Sequence, residues 1–229
     1  MNKYLVFNEK DKKGVLIRTE FQKALVTSGL FTKMEDLDEP ILIEENSSKQ
    51  RFEITALDLP FVREIWRVEL EKTIEGLSTS SSTPEIALLV LSEETGVNRL
   101  KMTIILIELK SSLQDSKLSA DKKKWKPSTL EQCLTKFQAA MNRLYMLVSI
   151  RDYNQEKDLQ NHTIGLVFKG VVCFNKDEMT RADGSDLYPI LKKTTPNLLT
   201  CKTLLSDKDK INIVFYEKKD KIRLEELLK

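Results

Sequence analysis

The sequence predicts an α/β fold built on a mixed central sheet flanked by helices, with a strand-rich extension at the N-terminus. Three observations carry this expectation. Two long apolar runs, Pro84 to Leu91 and Leu100 to Leu109, are joined by turn-forming residues. An amphipathic helix with a capping signature begins at Ser128, and two further β-branched and aromatic runs, Ile164 to Phe174 and Ile211 to Tyr216, follow it. Strands without alternating polar positions are expected in a sheet covered on both faces.

The 229 residues suffice for one domain with a sizeable core. Apolar residues at 41% and charged residues at 31% place the chain among globular proteins and away from disordered ones. The net charge is only +2, so contact with a polyanion requires a local concentration of lysine and arginine. Cys133, Cys173 and Cys201 lie far apart and are joined by a single histidine, His162, which excludes a zinc site of the usual kind. The cysteines are expected to be reduced and buried, as in the cytosol. The apolar run near Met1 is too short for a signal peptide, no stretch reaches membrane-spanning length, and no membrane partner is expected.

Taken in order, residues 1–57 form the strand-rich extension, 58–174 the core and 175–229 a C-terminal extension of the sheet. A short helix is expected from Glu20 to Thr27, stopped by Ser28-Gly29. Ile41 to Glu44 and Arg51 to Leu57 form a hairpin around the polar residues Asn46 to Gln50. Asp58 is placed to cap a helix with Pro60 in its first turn, because Val62, Ile65, Trp66, Leu70, Ile74 and Leu77 recur at helical spacing. Glu85 to Leu91 and Leu100 to Leu109 pair as an antiparallel hairpin turning near Glu94 to Val97. The next helix is announced by Pro127 and by Ser128 with Glu131 three residues on, and its apolar stripe is Leu130, Leu134, Phe137, Met141, Leu144 and Val148.

Glu108 and Lys110 lie two apart on a strand and project to the same face, where an otherwise apolar run of isoleucines and leucine ends. Charges in that position require partners or a cleft. In an antiparallel hairpin the start of one strand meets the end of the other, which brings Glu85 towards Glu108. Two carboxylates and a backbone carbonyl suit a hard divalent cation and need neither histidine nor cysteine.

Pro84-Glu85 together with Glu108-Leu109-Lys110 resembles the motif of the PD-(D/E)xK nuclease superfamily, with glutamate in place of the commoner aspartate at position 85. The resemblance spans roughly residues 60–174 and includes the order helix, strand, strand, helix, strand, so it implies a restriction-endonuclease-like α-β-β-α-β core. It implies that Glu85, Glu108 and the Leu109 carbonyl hold Mg2+ or Mn2+. Lys110 would orient or activate the attacking water and offset charge on the phosphate. The reaction implied is phosphodiester hydrolysis, on DNA in preference to RNA, in a restriction, mobile-element or defence setting, with a homodimer as one form of assembly. By the same likeness Glu71 and Glu75, on the expected preceding helix, and Gln132, on the following one, are accessory candidates.

Between Lys110 and Lys126 six lysines face two aspartates, a local balance of +4. Lys117, Lys122, Lys123, Lys124 and Lys126 are candidates for the phosphate backbone, with Trp125 available for stacking. A second reading keeps the fold without catalysis, as a nucleic-acid-binding or protein-interaction module.

Overall fold

Alternation with period two fixes the centre of the molecule. In the computed structural model, which describes residues 4–7, 25–34, 39–45, 50–55, 59–71, 83–94, 99–118, 124–149, 162–179, 198–203 and 206–229, strand β6 (Ile86–Glu94) runs antiparallel to β7 (Arg99–Leu113). Ala87, Leu89 and Leu91 of β6 and Met102, Ile104 and Leu106 of β7 enter one core, while Leu88, Val90, Ile105, Ile107 and Leu109 enter another. Both faces of these strands are covered, which is why their sequences carry apolar residues almost without a break.

The two strands belong to an eight-stranded sheet. Its order is β11 (Leu198–Cys201), β12 (Asp209–Glu217), β10 (His162–Asp177), β7, β6, β5 (Val62–Val68) and β2 (Phe31–Lys33), and β1 (Tyr4–Phe7) pairs with β10. Strand β10 is parallel to both β7 and β12, and the pairs β2–β5, β5–β6, β6–β7, β1–β10 and β11–β12 are antiparallel. The molecule is thus α/β with a mixed sheet. Gly29 stops a helical turn at residues 25–27 in the left-handed region (φ 69°), with Leu30 N–H donating to Leu25 O and Gly29 N–H to Val26 O. These bonds satisfy carbonyls that a helix end otherwise orphans.

Helix α1 (Thr129–Ser149) connects β7 to β10 and covers one face. Its start is the expected capping box: Ser128 N–H donates to Glu131 Oε2 (2.7 Å) and Glu131 N–H to Ser128 Oγ (3.2 Å). Thr129 and Gln114 exchange two further bonds, each 2.9 Å, that clamp the start of the helix to the end of β7. Phe137 lies against the backbone of β10 at Gly170, where a Cβ would come within 2.8 Å of its ring. Glycine is required there by close approach.

The other face is covered by a three-stranded sheet, where a flanking helix was expected. In it β4 (Gln50–Thr55) pairs with β3 (Ile41–Glu45) and with β13 (Lys221–Arg223), and helix α2 (Leu224–Leu228) follows. Ile41, Ile43, Phe52, Ile54, Ile222, Leu224 and Leu227 pack on Ile105, Ile107 and Leu109. The polar stretch after β7 also holds a small hairpin, β8 (Lys117–Leu118) with β9 (Trp125–Lys126).

The helix expected from Asp58 is a strand over the described residues. Its apparent helical spacing comes from a bulge: Val62 is opposite Ser92, but Glu64 is opposite Leu91, so one extra residue is inserted. Val62 and Ile65 therefore share a face although three apart, while Trp66 and Val68 point to the α1 side by ordinary alternation. Arginine, tryptophan and β-branched residues in this run suit a strand. Among the described residues the order of these main elements is strand, strand, strand, helix, strand, where helix, strand, strand, helix, strand was expected. Strand β7 also continues three residues past Lys110, so Glu108 sits within the sheet and not at its margin.

Candidate functional site

Glu108 lies on the stripe Met102, Ile104, Leu106, beneath α1, and is fully buried. A buried carboxylate needs compensation. It receives two ammonium groups on one oxygen: Lys110 Nζ stands 2.5 Å and Lys136 Nζ 2.6 Å from Oε1. The Lys110 side chain is next on the same face of β7, and Lys136 reaches down from α1. The second oxygen, Glu108 Oε2, is buried without a hydrogen-bond partner among the described residues.

The pairing of β6 with β7 begins at Ile86 opposite Ile107, and Glu85 immediately precedes it, so Glu85 follows the alternation of Ala87 and Leu89 towards the α1 face that also carries Glu108. Their proximity shows in protonation. The Glu85 carboxyl is pushed up to about 7, first by burial and then by the Glu108 charge, with Lys136 opposing and Glu71 and Glu45 adding to the rise. Burial lowers the Lys110 ammonium, but Glu108 overcomes it and leaves Lys110 above the ordinary lysine value. Lys110 is therefore a fixed cation at neutral pH and no proton acceptor. Cys133, on α1 beside the same cluster, is pushed up to about 12 by burial and by Glu108, so its thiol is no nucleophile. All three cysteines are free and buried.

Several supporting contacts fix this arrangement. Gln50, at the end of the β3–β4 hairpin, donates its Nε2 to the Lys110 carbonyl at 2.6 Å. An Arg143 guanidinium from α1 donates to the Leu70 carbonyl, which anchors the turn that carries Glu71. Glu108 and Lys110 thus form an ion pair, and Glu85 lies within electrostatic reach of both Glu108 and Glu71. The Leu109 side chain points to the opposite core, so the ligand expected from Leu109 is its carbonyl alone. Gln132 is not brought in: it is exposed and donates to Pro127 O at 2.8 Å. Glu75, Lys122 and Lys123 lie outside the described residues. Lys117, Lys124, Lys126 and Trp125 are exposed on or beside the β8–β9 hairpin, with Lys117 opposite Lys126 and Leu118 opposite Trp125.

Sequence reasoning missed Lys136. Its signal was available, because Lys136 falls three residues after Cys133 and four before Ala140, both on the buried face of α1. A lysine on that line needs a buried anion.

Among the described residues no group of three or more His, Cys, Asp or Glu side chains is assembled to hold a metal ion. The donor set nevertheless fits one hard cation of the magnesium type, which binds through one or two carboxylates and keeps several waters. Glu108 Oε2 is an unsatisfied acceptor among the described residues, and the Glu108 charge raises Glu85 while Lys136 opposes it. No described helix is long and apolar enough to cross a membrane. No family model, curated protein or solved structure matches the chain.

Proposed function

We propose that the protein is a metal-dependent nuclease that hydrolyses phosphodiester bonds at the Glu85–Glu108–Lys110 cluster. The observation that carries this reading is the buried Glu108 carboxylate paired with Lys110, one of its oxygens left unsatisfied among the described residues and its charge felt by Glu85. Glu85 and Glu108 would hold Mg2+ or Mn2+, with the Leu109 carbonyl as a third oxygen. The metal supplies a polarised phosphoryl oxygen and an acidified water.

The chain's own residues do the rest. Lys110 presents positive charge that gains strength as the phosphate becomes more negative in the transition state, and that difference accelerates the reaction. Lys136, from the helix side, shares Glu108 Oε1 with Lys110, so the carboxylate charge is offset without depending on Lys110 alone. Glu71 keeps the potential at Glu85 negative, which favours a cation there. The exposed β8–β9 hairpin follows the strand that carries Glu108, and its lysines and Trp125 would hold backbone and bases of DNA.

The test is incubation of supercoiled plasmid, single-stranded DNA and RNA with Mg2+ or Mn2+. Wild type is compared with Glu85→Gln, Glu108→Ala and Lys110→Ala, each checked for folding by thermal melting. Cleavage should fall at least 100-fold in each folded variant. Cleavage that survives both Glu108→Ala and Lys110→Ala would refute the assignment. Binding without cleavage of any substrate would leave the non-catalytic module as the function.

A further inference from the structure

On the face of the main sheet turned away from α1, the three-stranded sheet covers only one end. Strand β7 sends Lys101, Thr103, Ile105, Ile107 and Leu109 to this face, and β10 sends Val167, Lys169, Val171 and Cys173. Ile105, Ile107, Leu109, Val171 and Cys173 belong to the core beneath β3, β4 and β13. Towards the start of both strands the cover thins, and Val167 is 38% exposed although its strand lies inside the sheet. Thr103 is the register partner of Val167, and Asn212 of β12 is that of Lys169. A polar corner therefore surrounds one exposed apolar residue.

Lys169 stands in this corner with only 8% of its surface exposed. An ammonium so placed calls for an anion beside it. Elsewhere the molecule supplies one: Lys33, Lys110 and Lys136 are half-buried, and each lies within 3.3 Å of a glutamate oxygen. Lys169 is more deeply buried than these, yet its side chain has no ion pair or hydrogen bond among the described residues. Its charged neighbour is a second cation. Lys101 projects to the same face, and burial first and the Lys101 charge second hold the Lys169 ammonium below the ordinary lysine value. Lys101 is itself half-buried and has no carboxylate partner among the described residues. It precedes Ile105, the partner of Lys169, by four residues, or about 13 Å of strand, a gap that the two long side chains narrow over Thr103 and Val167. Lys210, exposed near the start of β12 on the same face, adds positive charge at the margin.

We propose that this corner binds a phosphate group, free or carried by a small phosphomonoester, between Lys101 and Lys169. A dianion supplies the counter-charge that Lys169 lacks, and its oxygens suffice to accept from both ammonium groups and from the Thr103 hydroxyl or the Asn212 amide. A single carboxylate compensates one ammonium and leaves the other. Val167 offers carbon surface to the organic part of an ester. A lysine kept only for its apolar stem gains nothing over methionine here and carries the burial of its charge in addition, so the position is one where stability yields to binding. The residues involved lie on the opposite face of the sheet from Glu108 and require no metal.

The experiment is isothermal titration of the full chain with inorganic phosphate and with ribose 5-phosphate, in EDTA and at an ionic strength held constant with chloride. Ribose, acetate and a tetranucleotide without a terminal phosphate serve as comparisons. At least one of the two phosphates should bind about tenfold more tightly than acetate. Lys169→Met and Lys101→Gln should each weaken that binding about tenfold. Lys176→Gln, an equal loss of charge at the exposed far end of β10, should leave it unchanged. In chloride alone Lys169→Met should melt above wild type, and added phosphate should raise the melting temperature of wild type and not of the variant. Tighter binding of ribose 5-phosphate than of inorganic phosphate would identify a phosphomonoester as the occupant, and equal affinity the free ion. Absence of binding by both at millimolar concentration, equal binding of acetate, affinity unchanged in Lys169→Met and Lys101→Gln, or equal weakening by Lys176→Gln would overturn the proposal. Tighter binding of the tetranucleotide through the same two lysines would also overturn it, in favour of a strand backbone. Because no metal is present, such a failure leaves the carboxylate site untouched, and loss of cleavage in Glu108→Ala leaves this corner untouched.

Discussion

Removing Lys110 and Lys136 singly and together isolates the energetics of the buried carboxylate. Both ammonium groups contact the same oxygen of the fully buried Glu108, at 2.5 and 2.6 Å, and their side chains are themselves only 20% and 15% exposed. A hydrogen bond to a charged group contributes about 1.5–3 kcal/mol. Lys110→Met or Lys136→Met alone leaves Glu108 one cation, so each should cost about 1.5–2 kcal/mol. The double variant leaves the carboxylate buried without a counter-charge, a state that costs more than the two contacts summed. We expect about 5 kcal/mol for the pair, hence a coupling of about 1 kcal/mol or more, within the usual range for contacting residues. Adding Glu108→Gln to the double variant removes the stranded charge and should recover at least 2 kcal/mol. Urea unfolding at pH 7.5, read as midpoint and slope, gives all four values. Strict additivity of the two lysine variants, or no recovery with Glu108→Gln, would refute the view that one buried anion organises the cluster.

Four other outcomes follow from the same contacts. Glu85, raised from 4.5 to about 7, holds a proton in the folded state that the unfolded chain has released, so its contribution to stability is present below about pH 4.5 and is lost as pH rises to about 7. After discounting for its partial exposure this amounts to about 1–2 kcal/mol, seen as the difference between wild-type and Glu85→Gln melting curves across that window. At pH 8, millimolar Mn2+ should raise the melting temperature of wild type and not of Glu85→Gln, since a cation that binds only the folded carboxylates stabilises by linkage. Gly170→Ala should cost about 1–3 kcal/mol by urea unfolding, because the added methyl meets the Phe137 ring and the Ile213 side chain. Lys169, buried and lowered first by desolvation and then by Lys101, should be replaceable by methionine with a gain of about 1 kcal/mol, or about 2–4 °C in melting temperature.

The sequence was most legible where one local rule acted alone. The β6–β7 hairpin was readable because both strands are covered on both faces, and its register followed once the turn was placed. The start of α1 was readable because Ser128 and Glu131 satisfy each other's main chain within four residues. The run from Val62 was misread because a bulge reproduces helical spacing for one turn, and a bulge is defined by the partner strand. Lys136 was missed because its meaning depends on Glu108, which lies 28 positions earlier and becomes a neighbour only when α1 folds over β7. That Glu85 lies near Glu108 was readable because it needed only the hairpin. The second layer of sheet was invisible for a related reason, since β13 joins β4 from the far end of the chain.

That distant pairing sets the order in which parts of the molecule come together and apart. Thr55 Oγ1 donates to Ile222 O across 167 residues. A contact closed over so long a span carries a large entropic cost at formation and is completed only after the β6–β7 hairpin has supplied a surface to dock on. Amide exchange should find β3, β4 and β13 opening as one unit well before the central strands, with the cavity between the two sheets existing only while that unit is docked. The residence time of anything held there would then be governed by the undocking rate of a small sheet, while the carboxylates on the far side of β7 keep their register.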